Sequence, residues 1–131
     1  MRAVVDTNVL VSALLTPGGL PAALLAAVLN GQLRAVVCED IVAEYRLVLQ
    51  RPRFRFDPSR VAAVIGAIRL TSDWVPIPAY AGQPPLPDPT DWPFLAAATV
   101  AGCPVITGNA RHFPEGVGVR VMTVREWVGN P

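Results

Sequence analysis

The sequence contains no lysine, so arginine supplies all 11 of its basic residues. Charged residues make up only 16% of the chain, whereas 52% of its residues are hydrophobic. This composition excludes a disordered chain and a polybasic tail. The net charge of +1 argues against a protein that holds duplex nucleic acid through an overall positive field, although a local basic patch remains open.

Long apolar runs are also missing. The longest one in the N-terminal region covers residues 20–29, whereas a membrane-spanning helix needs about 20 apolar residues. Asp6 interrupts the first apolar segment, where a signal peptide would stay apolar. The two cysteines, Cys38 and Cys103, lack metal-site spacing and suit a reducing compartment. We therefore expect a cytoplasmic protein that makes no contact with a membrane.

The length and apolar content predict a single domain over residues 1–131. Short β-branched runs alternate with segments of helical periodicity, which predicts an α/β fold: a three-layer α/β/α sandwich with a mainly parallel central sheet. The predicted strands cover residues 2–5, 33–38, 73–77, 104–107 and 120–123. The predicted helices cover residues 8–15, 20–29, 40–51, 57–70, 93–101 and 123–128.

Polar residues follow two of the predicted strands directly. Asp6, Thr7 and Asn8 come after the first strand, and Thr107 and Asn109 come after residues 104–106. Parallel sheets bind ligands beyond the carboxyl ends of their strands, so these residues are candidates for a site. Phosphatase-like and response-regulator-like domains also use strand-end aspartates, but they commonly place a lysine near the phosphoryl group, and this chain has none.

Four acidic residues stand out by their position: Asp6 at a strand end, Glu44 inside an apolar helix, and Asp88 and Asp91 at a helix start. Crowded carboxylates repel one another unless a proton, a base or a cation offsets their charge. Oxygen ligands without histidine or cysteine favour Mg²⁺ or Mn²⁺. The acids therefore predict a divalent-cation site, if they converge on one cleft.

Each of these acids also has a purely structural explanation. Asp88 and Asp91 can cap a helix, where aspartate is favoured at the N-terminus, and Asp6 can do the same for the first helix. Glu44 can be a solvated helix residue. The residues alone leave both interpretations open.

Three segments in the same order resemble PIN-domain ribonucleases. They are V-V-D-T-N-V-L-V-S-A at residues 4–13, I-V-A-E-Y at residues 41–45, and D-P-T-D-W-P-F-L-A-A-A at residues 88–98 followed by V-I-T-G-N at residues 105–109. The first and last segments are similar in particular to bacterial VapC-like toxins of type II toxin–antitoxin systems. The resemblance implies a PIN-like fold and a Mg²⁺- or Mn²⁺-dependent endoribonuclease whose partners are an RNA substrate and a cognate antitoxin.

Carried over residue by residue, the resemblance assigns Asp6, Glu44 and Asp91 as catalytic metal ligands, with Asp88 as an additional acidic ligand. It makes Thr7, Asn8 and Thr107 supports of the ligand at the first strand end.

Asn109 departs from the family pattern, which usually has a fourth aspartate there. Because an amide carries no charge, a second ion would bind more weakly, and Asn109 is expected to orient a metal-bound water through its side-chain oxygen. An alternative is therefore a catalytically weakened module that binds RNA or the antitoxin.

Arginine and phenylalanine alternate over residues 51–56. Arg51, Arg53 and Arg55 can bind phosphates while the phenylalanines stack on bases; equally, the phenylalanines can pack on the next helix while the arginines stay solvated. His112, the only histidine, is expected in a surface loop without a catalytic role. The nearly all-apolar helix 20–29 and the resemblance together favour a homodimer.

Overall fold

The computed structural model of the chain describes residues 1–129. Its five strands form one wholly parallel sheet in the order β3-β2-β1-β4-β5. The strands are β1 (Arg2–Val5), β2 (Arg34–Val37), β3 (Asp73–Trp74), β4 (Val105–Ile106) and β5 (Val121–Met122). The predicted α/β architecture with a parallel sheet is confirmed.

Six helices accompany the sheet within the described residues. They are α1 (Thr7–Leu15), α2 (Leu20–Leu29), α3 (Glu39–Leu49), α4 (Pro58–Thr71), α5 (Trp92–Ala101) and α6 (Val124–Val128). Short 3-10 turns cover Pro52–Phe54, Pro89–Asp91 and Ala110–His112. Every predicted helix is present, with ends within about two residues of those expected.

β1 has the predicted bounds, whereas the other four strands are shorter than the sequence predicts, and a proline explains one case. Residues 73–77 are apolar enough for a strand, but the ladder stops at Trp74, and one further bond joins the amide of Val75 to the carbonyl of Val37 at 2.9 Å. Pro76 has no amide hydrogen to continue the pairing. The chain therefore leaves the sheet early and enters the proline-rich connection to α5.

The strand order places the start of the chain at the centre of the sheet. From β1 the chain runs outward to β2 on one side and later returns to β4 on the other, so the order reverses at β1. A crevice forms at such a switch point, beyond the carboxyl ends of the two strands. The Asp6 amide donates to the carbonyl of Ile106 at 2.8 Å, which fixes the ends of β1 and β4 side by side.

Apolar helices bury this sheet. α5 packs on β1 and β2, and its Phe94, Leu95 and Ala97 are almost fully buried.

Within residues 1–129 no single helix has the length and apolar character of a membrane span. α1 and α2 meet those criteria only when they are taken together, and their axes form an angle of 109°.

Candidate active site

A cleft of about 410 Å³ opens beyond the carboxyl ends of β1 and β4. All four acidic residues singled out from the sequence line it, together with basic, aromatic and small polar side chains. The lining includes Asp6, Glu44, Asp88, Asp91, Thr7, Asn8, Arg51, Arg53, Phe54 and His112. The predicted convergence of the acids on one cleft is thus present in the fold.

Asp6 is held rigidly at the end of β1. Its side chain is only 5% exposed, and it accepts hydrogen bonds from the Thr7 amide and from the Thr107 hydroxyl, both at 2.8 Å. Burial raises the pKa of Asp6, while the bonds from Thr107 and Thr7 act in the opposite direction. Asp6 does cap α1, as the structural explanation proposes, but it does so with one oxygen while the other binds Thr107.

Glu44 reaches the cleft because α3 is fastened to β1. The neighbouring Tyr45 is fully buried and donates its hydroxyl proton to the carbonyl of Val5. The Thr7 hydroxyl donates to Oε2 of Glu44. The pKa of Glu44 is raised, first by burial and then by the charges of Asp6 and Asp88. Glu44 is therefore tied into the acidic cleft, unlike a freely solvated helix residue.

Asp88 and Asp91 differ sharply, although D-P-T-D presents them as a pair. Asp88 is exposed, and its Oδ1 accepts from both the amide and the hydroxyl of Thr90, which lowers the pKa of Asp88. Asp91 is 7% exposed and occupies the N-cap position of α5 without making a capping bond. Capping thus accounts for Asp88, as the structural explanation holds, and leaves Asp91 unexplained.

Asp91 carries a buried oxygen that has no partner. Its Oδ2 is shielded from solvent, and the described residues offer it no hydrogen bond. The pKa of Asp91 rises to about 6, first because of burial and next because of the charge of Asp6, with smaller contributions from Asp88 and Glu44. A buried carboxylate oxygen with other carboxylates nearby lowers the free energy of unfolding unless it binds a cation or a proton.

The buried Thr107 and the half-buried Asn8 join the end of β4 to the start of α1 beside the acids. Thr107 is fully buried and donates to Asp6, while its oxygen accepts from the amide of Asn109 at 3.0 Å. The Asn8 side-chain oxygen accepts from the amide of Gly108 at 3.0 Å. A β-carbon at Gly108 would lie 3.4 Å from that oxygen, at the limit of ordinary contact distance.

Asn109 occupies a different place from the four acids. Its side-chain oxygen accepts from the amide of Arg111 at 3.2 Å, so that it caps the turn Ala110–His112. It is exposed and lies outside the cleft lining. The departure from the family pattern therefore falls on a residue that organises the turn beside the cleft.

His112 borders the cleft, which the sequence did not predict. It lies in a surface turn, as expected, with a side chain 40% exposed, but its Nδ1 is 3.8 Å from Oδ2 of Asp91. The signal that could have found it is the Asn109-to-His112 spacing, which one turn of 3-10 helix closes.

The arginine-rich segment only partly faces the acids. Arg51, Arg53 and Phe54 line the cleft, whereas Arg55 lies outside it and takes a left-handed backbone conformation with φ +54°. The Arg53 guanidinium covers the Phe54 ring at 4.8 Å, and Phe54 stacks on Phe56. All three arginines are exposed and both phenylalanines are half-buried, which leaves both interpretations of this segment open.

The donor chemistry of the cleft fits a divalent cation. Within residues 1–129 no three acidic, histidine or cysteine side chains are already drawn together as a metal-binding group. The fit depends on three features: the oxygen donors, the neighbouring carboxylates that raise the pKa of Glu44 and Asp91, and the partnerless buried oxygen of Asp91. Mg²⁺ and Mn²⁺ suit such oxygen donors and keep waters in their remaining positions.

Two comparisons with known proteins complete the description. The sequence model of a family described as the PIN domain matches residues 2–111. A comparison with curated proteins finds no match for the chain. The matched region contains all four acids, the arginine-rich segment and Asn109.

Proposed function

Because the chain belongs to the PIN-domain family, whose members are generally nucleases, we propose that it is a metal-dependent endoribonuclease that hydrolyses RNA phosphodiester bonds. One observation carries the proposal: the buried, partnerless oxygen of Asp91 in a cleft that it shares with three other carboxyl groups. A divalent cation satisfies that oxygen and offsets the repulsion among the acids.

In this proposal, Asp6, Glu44 and Asp91 hold Mg²⁺ or Mn²⁺, and Asp88 adds charge at the rim. The cation supplies activation of water and stabilisation of charge on the phosphodiester. Thr7 and Thr107 keep the carboxylates oriented through the bonds described above. The supporting residues are thereby fixed before substrate binds, as electrostatic catalysis requires.

Arg51 and Arg53 are proposed to bind the RNA backbone at the edge of the same cleft, with Arg55 contacting more distant phosphates. A guanidinium group can bind two phosphate oxygens at once, and the half-buried Phe54 lines the same cleft as Arg51 and Arg53. With the four cleft acids set apart, the rest of the chain carries 11 arginines against six acidic residues. The cleft repels RNA until a cation is bound, whereas the surrounding surface attracts it.

The test is cleavage of a panel of single-stranded and structured RNAs by protein freed of metal with a chelator. We expect no cleavage in the chelator and recovery on addition of Mn²⁺ or Mg²⁺. Cleavage that persists unchanged in the chelator contradicts the metal-dependent mechanism. RNA binding without cleavage under any metal condition supports the second candidate, a weakened module that binds RNA or an antitoxin.

We further propose that the protein is the cytoplasmic toxin of a type II toxin–antitoxin pair. The support is the similarity of residues 4–13 and 88–98 to VapC-like toxins. An adjacent reading frame that encodes a small DNA-binding protein is the expected companion, and co-purification of that protein with this one is the observation that checks it.

A homodimer is proposed through the face formed by α2 and α6. An apolar groove there has a volume of about 770 Å³ and is lined mainly by Met1, Leu20, Ala23, Ala27, Trp127 and Val128. Met1 is 53% exposed and Val128 46% exposed, so a second copy would bury apolar surface on both chains. Sedimentation is expected to give a dimer, and a monomer at all concentrations contradicts this assembly.

A further inference from the structure

Three side chains form a chain of contacts that ends at the partnerless oxygen of Asp91. The Arg111 amide donates to Oδ1 of Asn109 at 3.2 Å. Nδ2 of Asn109 lies 3.1 Å from Nε2 of His112. On the other side of the imidazole ring, Nδ1 is 3.8 Å from Oδ2 of Asp91. The turn Ala110–His112 thus connects the Arg111 backbone amide to the buried oxygen of Asp91 that has no hydrogen-bond partner among residues 1–129.

The direction of these hydrogen bonds determines which histidine nitrogen carries the proton. A backbone amide can only donate, so the Asn109 atom facing Arg111 is its oxygen, and the atom facing His112 is its NH₂ group. An NH₂ group can only donate, so Nε2 of His112 must accept. A neutral imidazole that accepts at one nitrogen carries its hydrogen on the other. The Nδ1–H therefore lies on the side of Asp91.

We propose that Asn109 and His112 are positioning residues for Asp91, with Asn109 fixing the tautomer in which His112 presents an N–H group to that carboxylate. The inference rests on the proposed function, in which Asp91 is a metal ligand. It also gives Asn109 a role of its own. An aspartate in its place would accept a hydrogen bond from Nε2–H, whereas the Asn109 NH₂ group donates one to Nε2. The amide is then a specific requirement of this site, as outer partners of metal ligands often are.

The chain's single histidine makes the tautomer directly measurable in untagged protein. Nitrogen-15 NMR of the neutral imidazole in metal-free, RNA-free protein is expected to show a protonated Nδ1 and an unprotonated Nε2. In Asn109→Asp, which keeps the size of the side chain and an oxygen to cap Arg111, Nε2 is expected to become protonated. A protonated Nε2 in the wild type, or an unprotonated Nε2 in Asn109→Asp, overturns the proposal.

A second measurement tests the consequence for the cation. Calorimetric titration with Mn²⁺ is expected to show affinity about tenfold weaker in His112→Ala than in the wild type. The matched control is Arg111→Ala, which changes the neighbouring exposed residue and keeps the backbone amide that orients Asn109. Equal Mn²⁺ affinity in wild type and His112→Ala contradicts the positioning role. Because neither measurement uses cleavage, a protein that binds Mn²⁺ and shows the expected tautomer but cuts no RNA contradicts the proposed function alone.

Discussion

Replacing Asp91 with asparagine is expected to stabilise the metal-free protein while it removes cleavage. Near neutral pH the free energy of unfolding should rise by about 2 to 3 kcal/mol, because the pKa of Asp91 rises from 3.8 to about 6 on folding and each pKa unit corresponds to about 1.4 kcal/mol. Asparagine removes the charge that burial and Asp6 oppose. Activity and stability therefore move in opposite directions, as expected for a residue kept for function.

The sign of the pH dependence follows from the same shift. A carboxyl group whose pKa is higher in the folded state holds more protons there, so stability falls as the pH rises from about 4 to about 6 and then levels off. Urea unfolding of wild type and Asp91→Asn across this range should give curves that converge near pH 4 and separate above pH 6.

Asp88→Asn is the matched control for that experiment. The pKa of Asp88 is lowered by its bonds from Thr90, so its contribution to stability is present above its unfolded pKa and is lost as the pH falls through the folded value. Replacing it should weaken the cap and destabilise the protein by about 0.5 to 1 kcal/mol near neutral pH. If Asp91→Asn also proves destabilising near neutral pH, the explanation of the Asp91 carboxylate as a strained, cation-seeking group is wrong.

Asp6→Asn is expected to reduce RNA cleavage on the order of 100-fold or more and to weaken Mn²⁺ binding strongly, since it removes a charged ligand from the centre of the site. The fold should persist. An asparagine oxygen can still accept from the Thr7 amide, and its NH₂ group can donate to the Thr107 hydroxyl oxygen. Cleavage rates, Mn²⁺ calorimetry and the unfolding midpoint together distinguish lost chemistry from lost structure.

Asp73→Asn provides the charge-matched comparison for Asp6→Asn. Asp73 pairs with Arg2 and Arg34, the first residues of β1 and β2, and it does not line the cleft. Asp73→Asn also removes one negative charge, but we expect RNA cleavage to stay near the wild-type rate. Equal cleavage by wild type and Asp6→Asn under matched metal conditions would place the active site elsewhere.

The place of Asp6 at the carboxyl edge of the sheet was predictable from the chain, whereas its convergence with Asp91 was one of two interpretations that the residues left open. Asp6 directly follows a β-branched run, and the carboxyl ends of parallel strands share one edge of the sheet. The place of Glu44 in the cleft was predictable only from the order of the three segments that resemble PIN-domain ribonucleases. It depends on the hydrogen bond from Tyr45 to Val5 that holds α3 against β1. No local pattern around Glu44 distinguishes it from an exposed helix residue.

The division of roles between Asp88 and Asp91 could not be predicted from D-P-T-D. Either residue can cap a helix, and the choice depends on the turn Pro89–Asp91, which points Asp88 toward Thr90 and buries Asp91. The position of His112 beside the cleft could not be predicted from the sequence either, because it depends on a contact with Asp91, which lies 21 positions earlier in the chain. Arg55 was grouped with its neighbours by alternation alone, whereas its left-handed backbone leaves it outside the cleft lining.

The most direct test of the metal-dependent site is anomalous diffraction from crystals soaked in Mn²⁺. We expect a strong anomalous peak in the cleft beyond β1 and β4, within bonding distance of carboxylate oxygens of Asp6 and Asp91, and no such peak in crystals of Asp6→Asn. A wild-type cleft without Mn²⁺ in a crystal that binds the ion elsewhere would show that these acids do not form the metal site.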